Sequence, residues 1–574
     1  MPGLTAPSIA LALALTAVSA VHAAPAAPAA PAPLPPARDD RGLQLIASSA
    51  AAVLRADPAE LERAADLVRS FGGETGLAAS LVSLASAGAV GFDPLSRAGW
   101  RSAGLDPDRP VFAALAPADP TAPRAVWHVR AVVRIADPRA FAEWAVRVPI
   151  LGQPWHPDRP GRPLAALLGI DPTAEAAAAR ALTERGTVAA GTWPSLGALL
   201  FIRRAGGYAV VDGFAPAALA RLTWAQDGAW ILAQLDPPRP SLAERATAAA
   251  RVLSRPGLAL WIQPAGMLDA ALTWSRPAPA CSAFRDVAPR TALTDGAVSL
   301  RVGPHQLAVE LTLSAAPGAP FAAAWPTTDD GLAGSTPRAG AILSASIFLA
   351  GTDRLRALPR PALVDGGWGP LWRRARYCGR ATRAVLVGFA WPELVSQWLR
   401  EIAAVAPQAA ALVGSLRNVG FTARRVSAGD RREWDAVLEA SLAPGGQAPA
   451  GAILDAVFGG RTAARRPRPH TVWAGNALHP YTLSRGPRGA IVGVALGDRA
   501  RRWRLDQPNY RPRRAAAMAR ARGDAGALLR QLAPGLAGPV GALGAAAAPR
   551  VGSFDAEVTV HPDALRLAAT IRRR

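Results

Sequence analysis

Arginine and aromatic side chains crowd together three times in this chain, in LWRRARYCGRATR (371–383), RTAARRPRPH (461–470) and RRWRLDQPNYRPRR (501–514). Guanidinium forks match carboxylate and phosphate groups, and Trp or Tyr faces stack on flat or sugar rings. In the last cluster Arg501, Arg502, Arg504, Arg511, Arg513 and Arg514 surround Trp503 and Tyr510, which makes it the candidate anion-binding site. A helix starting near Asp498 cannot turn Arg501, Arg502 and Arg504 all inward, so part of that charge is expected in solvent, with Trp503 free to pack inside. The alternative is a solvated surface written by codon bias.

Other chemistries find less support. All 64 basic residues other than histidine are arginine, so the lysine-dependent classes are excluded: phosphate-loop, Schiff-base, Ser-x-x-Lys and kinase-type sites. No G-x-S-x-G elbow is present. His128, His156, His305, His470, His479 and His561 are scattered, and His470 with His479 lacks the carboxylates that would complete a ligand set. Asp57, Asp137, Asp353, Asp498 and Asp524 fall where helices should start, and capping explains them better than catalysis. No metal or cofactor is expected. The two cysteines, Cys281 and Cys378, are an even pair, which in an oxidising compartment predicts a disulfide.

That compartment is read from the N-terminus. IALALALTAVSAV (9–21) is apolar but too short to span a bilayer, Val21-His22-Ala23 offers small residues to a signal peptidase, and a Pro/Ala-rich linker follows over 24–40. MPGLTAPS (1–8) departs from the usual pattern in having no basic side chain. The expectation is a signal peptide over 1–23 and a periplasmic or secreted protein. No span is expected after processing, because LAPGLAGPVGALGAAAA (532–548) is broken by Gly and Pro. The net charge of +22 favours anionic partners at low salt, and outside the cytoplasm these are an anionic envelope polymer, a lipid headgroup or an acidic protein rather than nucleic acid.

The elements that must position any site are legible as patterns. ADPAELERAADLVRSFGG carries Asp57, Pro58 and Glu60 at a helix start, so 41–104 reads as a helical lead-in. From 105 an apolar strand followed by a capped helix recurs, as in AVVRIADPRAFAEWAV (131–146), GYAVVDGFAPAALARL (207–222), SASIFLAGTDRLRAL (344–358) and AIVGVALGDRARRWRL (490–505). Hairpins close the units: Val298, Leu300 and Val302 answer Leu307, Val309, Leu311 and Leu313, while Phe554, Ala556, Val558 and Val560 answer Leu565, Leu567 and Ile571. The segment 198–314 matches 477–572 in this order. The expected fold class is therefore α+β: duplicated domains of strand-helix units and antiparallel hairpins, the first over 105–315, a linker over 316–340, and the second over 341–574.

The phrase VGFDPLSRAGWRSAGLDPDRPVFAAL (90–115), followed by strand-D-P-helix units and late hairpins, resembles uncharacterised exported bacterial proteins grouped as a domain of unknown function. That resemblance covers about 90–320 and brings no active site with it. The functional expectation is a non-catalytic exported binding or scaffold protein. Two alternatives stand beside it: an envelope hydrolase whose site forms only in three dimensions, and a carrier holding an apolar ligand between sheet and helices.

Overall fold

The computed structural model describes, with short gaps, residues 41–267 and 293–315, and beyond them chiefly the strands named below together with 517–532 and 548–573. A 3-10 turn (Arg41–Leu45) leads into β1 (Ala52–Ala56), helices α1 (Pro58–Ser70), α2 (Gly73–Val90) and α3 (Arg97–Ser102), and strands β2 (Val111–Ala116) and β3 (Val126–Arg134). Helices α4 (Pro138–Ala145), α5 (Leu164–Leu168) and α6 (Pro172–Glu184) precede β4 (Thr187–Trp193), β5 (Ala198–Ala205) and β6 (Tyr208–Pro216). After α7 (Trp224–Leu235) and two 3-10 turns, Leu242–Glu244 and Ala250–Ser254, come β7 (Leu258–Ile262), β8 (Leu293–Val302) and β9 (Gln306–Ala315).

The C-terminal part adds β10 (Ala333–Ser335), β11 (Leu343–Phe348), β12 (Leu416–Ala428), β13 (Arg431–Leu442) and β14 (His470–Ala474). It continues through β15 (Ala477–Gly486), β16 (Gly489–Leu496), β17 (Tyr510–Pro512), β18 (Ala517–Asp524), α8 (Ala525–Leu532), β19 (Val551–His561) and β20 (Ala564–Arg573).

Eighteen of these strands join in one sheet, and β10 with β17 forms a separate two-stranded piece. Followed through its pairings, the large sheet runs β4-β5-β6-β3-β2-β1-β7-β8-β9-β20 and on through β19-β18-β11-β12-β13-β16-β15-β14. Every neighbouring pair is antiparallel, and outward from the β9–β20 junction the strands follow in the same connectivity on both sides. The turns are local where the chain allows it: Gly206 and Gly207, both at positive φ, make the two-residue connection from β5 to β6 that a right-twisted hairpin requires.

This overturns the expected fold class. Two α+β domains of strand-helix units do not form; a single antiparallel sheet dominates, and Gln306–Ser314 of β9 pair with Ala564–Arg572 of β20 to join the two spans. The helical lead-in fails as well, because β1 lies inside it and pairs with both β2 and β7. The capping signals were sound locally. Asp137 accepts from Arg139 and Ala140 N–H groups at the start of α4, as the strand-Asp-Pro pattern requires. A helix after a strand, however, says nothing about which strand pairs next, and here the partners are antiparallel neighbours rather than parallel crossover strands.

The sheet's two faces differ. On one, Val53, Phe112, Val132, Val210 and Trp261 pack under the 3-10 turns, and Phe201 and Phe214 pack under α5, α6 and α7. On the other, Val133, Ala189, Ile202 and Ala209 pack under α3, α4 and the Pro149–Leu151 turn. Among the described residues, no helix is long and apolar enough to cross a membrane.

Candidate functional site

Strand alternation and register concentrate charge on the first face. In β3, His128 and Arg130 are two apart and so share a face; register sets Arg130 opposite Asp212 of β6 and His128 opposite Phe214. Arg203 of β5 lies opposite Val210 on that same face. Asp212 is fully buried and is held by all three basic groups: His128 Nε2 at 2.8 Å, Arg130 Nε at 2.6 Å and Arg203 Nε at 2.8 Å. Phe214 stacks on the His128 ring at 4.6 Å.

The electrostatics follow from burial and pairing. Burial alone would raise the Asp212 carboxyl, but the hydrogen bond with His128 and the charges of Arg130 and Arg203 outweigh it and hold the group far below the usual carboxylate range. For His128 burial wins: it lowers the pKa in spite of Asp212, and the two neighbouring guanidiniums add to the effect. The ring is therefore neutral at pH 7 and donates its Nε2 hydrogen to the carboxylate.

The guanidiniums are engaged on their remaining sides too. Arg130 donates to the Leu45 carbonyl at 3.0 Å and to the Gln234 carbonyl, tying the sheet to the first 3-10 turn and to α7. Arg203 donates to the Arg185 carbonyl at 3.4 Å, and Arg185 itself pairs with Asp236. Such a cluster locks strands and cover together and presents little charge to a ligand.

A second polar group on this face does the same at the junction. Glu310 of β9 accepts from Arg255 at 2.6 Å and from Arg566 of β20 at 3.0 Å. Burial would raise its carboxyl, but the two arginines lower it. Asp57 and Glu60 stand at the start of α1 as read from sequence, the Asp57 carbonyl accepting from Leu61 N–H at 3.1 Å, while their carboxylates are used elsewhere: Asp57 accepts from Gly257 N–H at 2.5 Å and from Arg55, and Glu60 from Val302 N–H at 3.0 Å.

The opposite face is apolar and partly open. One row crosses the strands by register: Ala131 opposite Ala113, Ala113 opposite Leu54, Leu54 opposite Leu260, and Leu260 opposite Val298. It continues with Val298 opposite Leu311, Leu311 opposite Leu567 and Leu567 opposite Val558. Backbone register carries the row on to Ala519, Ile347 and Val419. Leu54 is 44% exposed, Val129 beside the row is also 44% exposed, and the other row members from Ala131 to Val558 are half-buried. On one side Ala56, Val133, Val309, Ala556 and Ala569 are buried, while on the other Ala52, Leu115, Ile262 and Leu313 are half-buried like the row and Trp127, one step further out, packs with Leu115, Ala215 and Met267. The result is an apolar strip bordered by packed residues.

Most of the site residues singled out from sequence lie outside the described residues. Arg501, Arg502, Arg504, Arg513 and Arg514 lie outside the described residues, as do Trp503, Cys281 and Cys378. Arg511 falls in β17, where it pairs with Gly334. Sequence reasoning missed the Asp212 cluster, although a signal existed: a lone carboxylate inside the apolar strand YAVVDGFAP needs a buried partner, and HVR and FIRR are the strands that carry one. No family model, curated protein or solved structure matches this chain.

Proposed function

We propose that this chain is an exported, non-catalytic binding protein that holds an apolar ligand against the open strip of its sheet. The observation that carries the reading is the row from Ala131 to Val558, half-buried or exposed throughout and without a charged member. A contiguous apolar surface left partly open to solvent is a recurrent mark of an interaction site. The division of labour between the faces supports it further, since the buried charges of the other face satisfy one another and leave that side structural. Export remains the reading of the apolar segment at 9–21 and the Val21-His22-Ala23 site.

The test is titration of the full chain with the neutral fluorophore N-phenyl-1-naphthylamine. Enhanced fluorescence should saturate, and Leu54→Asp should weaken binding by about tenfold or more, since a carboxylate would be placed in the path of the apolar ligand. Unchanged binding in the variant, with melting behaviour preserved, would contradict the reading.

A further inference from the structure

Resting on that reading, we infer that the strip takes one extended hydrocarbon chain, such as the acyl chain of an amphiphile, laid across the strands rather than along them. From β3 to β19 the described row crosses eight strands, which at about 4.8 Å between neighbours gives a strip about 34 Å long. Across it, one step along a strand to the next residue on the same face is only about 7 Å. Even counted two residues wide, the strip offers on the order of 500 Å², below the ~800 Å² that each partner of a stable protein pair contributes.

Long, narrow and uncharged surface also disfavours the other occupants. A polysaccharide or an acidic polymer would leave its hydroxyls or charges facing Leu54, Leu260, Val298 and Leu311, which have no polar atoms in their side chains to receive them. A methylene chain needs no hydrogen bond and gains with each group it buries. The packed borders, Val309 and Ala569 on one side and Trp127 on the other, leave the row and the half-buried positions beside it, Leu115, Ile262 and Leu313, as the band of contact.

The experiment uses the full chain and two readouts. Saturated straight-chain fatty acids of increasing length compete with N-phenyl-1-naphthylamine, and each added methylene should tighten binding by about fourfold until the strip is filled. Fatty acids carrying a photoreactive diazirine at one end or the other are then cross-linked and the labelled residues mapped. Labels from the two ends should fall on different strands several positions apart in the row, for example near Leu54 and near Leu567. Leu54→Asp should abolish both signals; the milder Leu54→Gln, checked by its melting temperature, serves should the first variant fold poorly.

Labels confined to one strand, or affinity independent of chain length, would overturn the proposal. Cross-links between two copies of the protein would overturn it in favour of a self-association surface. Fluorophore binding that depends on Leu54 but that no fatty acid displaces would sink the chain proposal while leaving the broader function standing; loss of both would sink each.

Discussion

Asp212 is the residue on which the charged face depends. Replacing it with Asn would remove the counter-charge from Arg130 and Arg203, both nearly buried, and destabilisation of about 3–5 kcal/mol is expected in chemical unfolding. His128 gives the same cluster a pH dependence. Its folded-state pKa is lowered, so the unfolded chain binds the proton first; the stability it contributes is fully present above about pH 6.5 and declines as pH falls below that toward the folded value. Unfolding free energy measured from pH 7.5 down to 5 should therefore drop, with a slope no steeper than about 1.4 kcal/mol per pH unit from this one group, and His128→Gln should flatten the drop. An unchanged slope in the variant would mean that the imidazole is not buried neutral.

At the scale of elements, the strands were legible and their partners were not. Alternation in AVSLRV and QLAVELTLS placed Val298 and Leu311 on one face of a hairpin, and register confirms that they are opposite. The same patterns could not show that β9 pairs with β20, because hydrophobic periodicity fixes which side of a strand faces a core and carries no information about a partner some 250 residues away. Asp57 and Glu60 show both sides of this: their spacing marked the start of α1 correctly, but their carboxylates reach Gly257 and Val302, which local spacing could not show. The candidate site fared likewise. An arginine-aromatic cluster is visible in sequence, but a strip assembled from one residue per strand appears only once the strand order is known.

Strand order also makes a prediction. A chain ending at Ala315 would keep β1 through β9 but remove β20 from β9, leaving β9, with Leu307, Val309, Leu311 and Leu313, as an edge unpaired on one side. That fragment should self-associate or precipitate in size-exclusion chromatography, whereas an independent first domain would run as a monomer.

The whole molecule is dominated by one long antiparallel sheet whose two faces differ, one charged and covered, the other apolar and partly open. The charged face is locked to its cover by Asp212 and Glu310, and the other face stays in register from β3 to β19, so that half-buried and exposed apolar residues on eight strands line up as the surface proposed to bind. Native mass spectrometry decides whether the proposed surface holds an apolar chain. The purified protein, incubated with a long-chain fatty acid, should carry one bound molecule, and a Leu54→Asp/Leu260→Asp variant with an unchanged melting temperature should carry none. A wild-type chain that stays bare, or a variant that loads as fully as the wild type, would contradict the account.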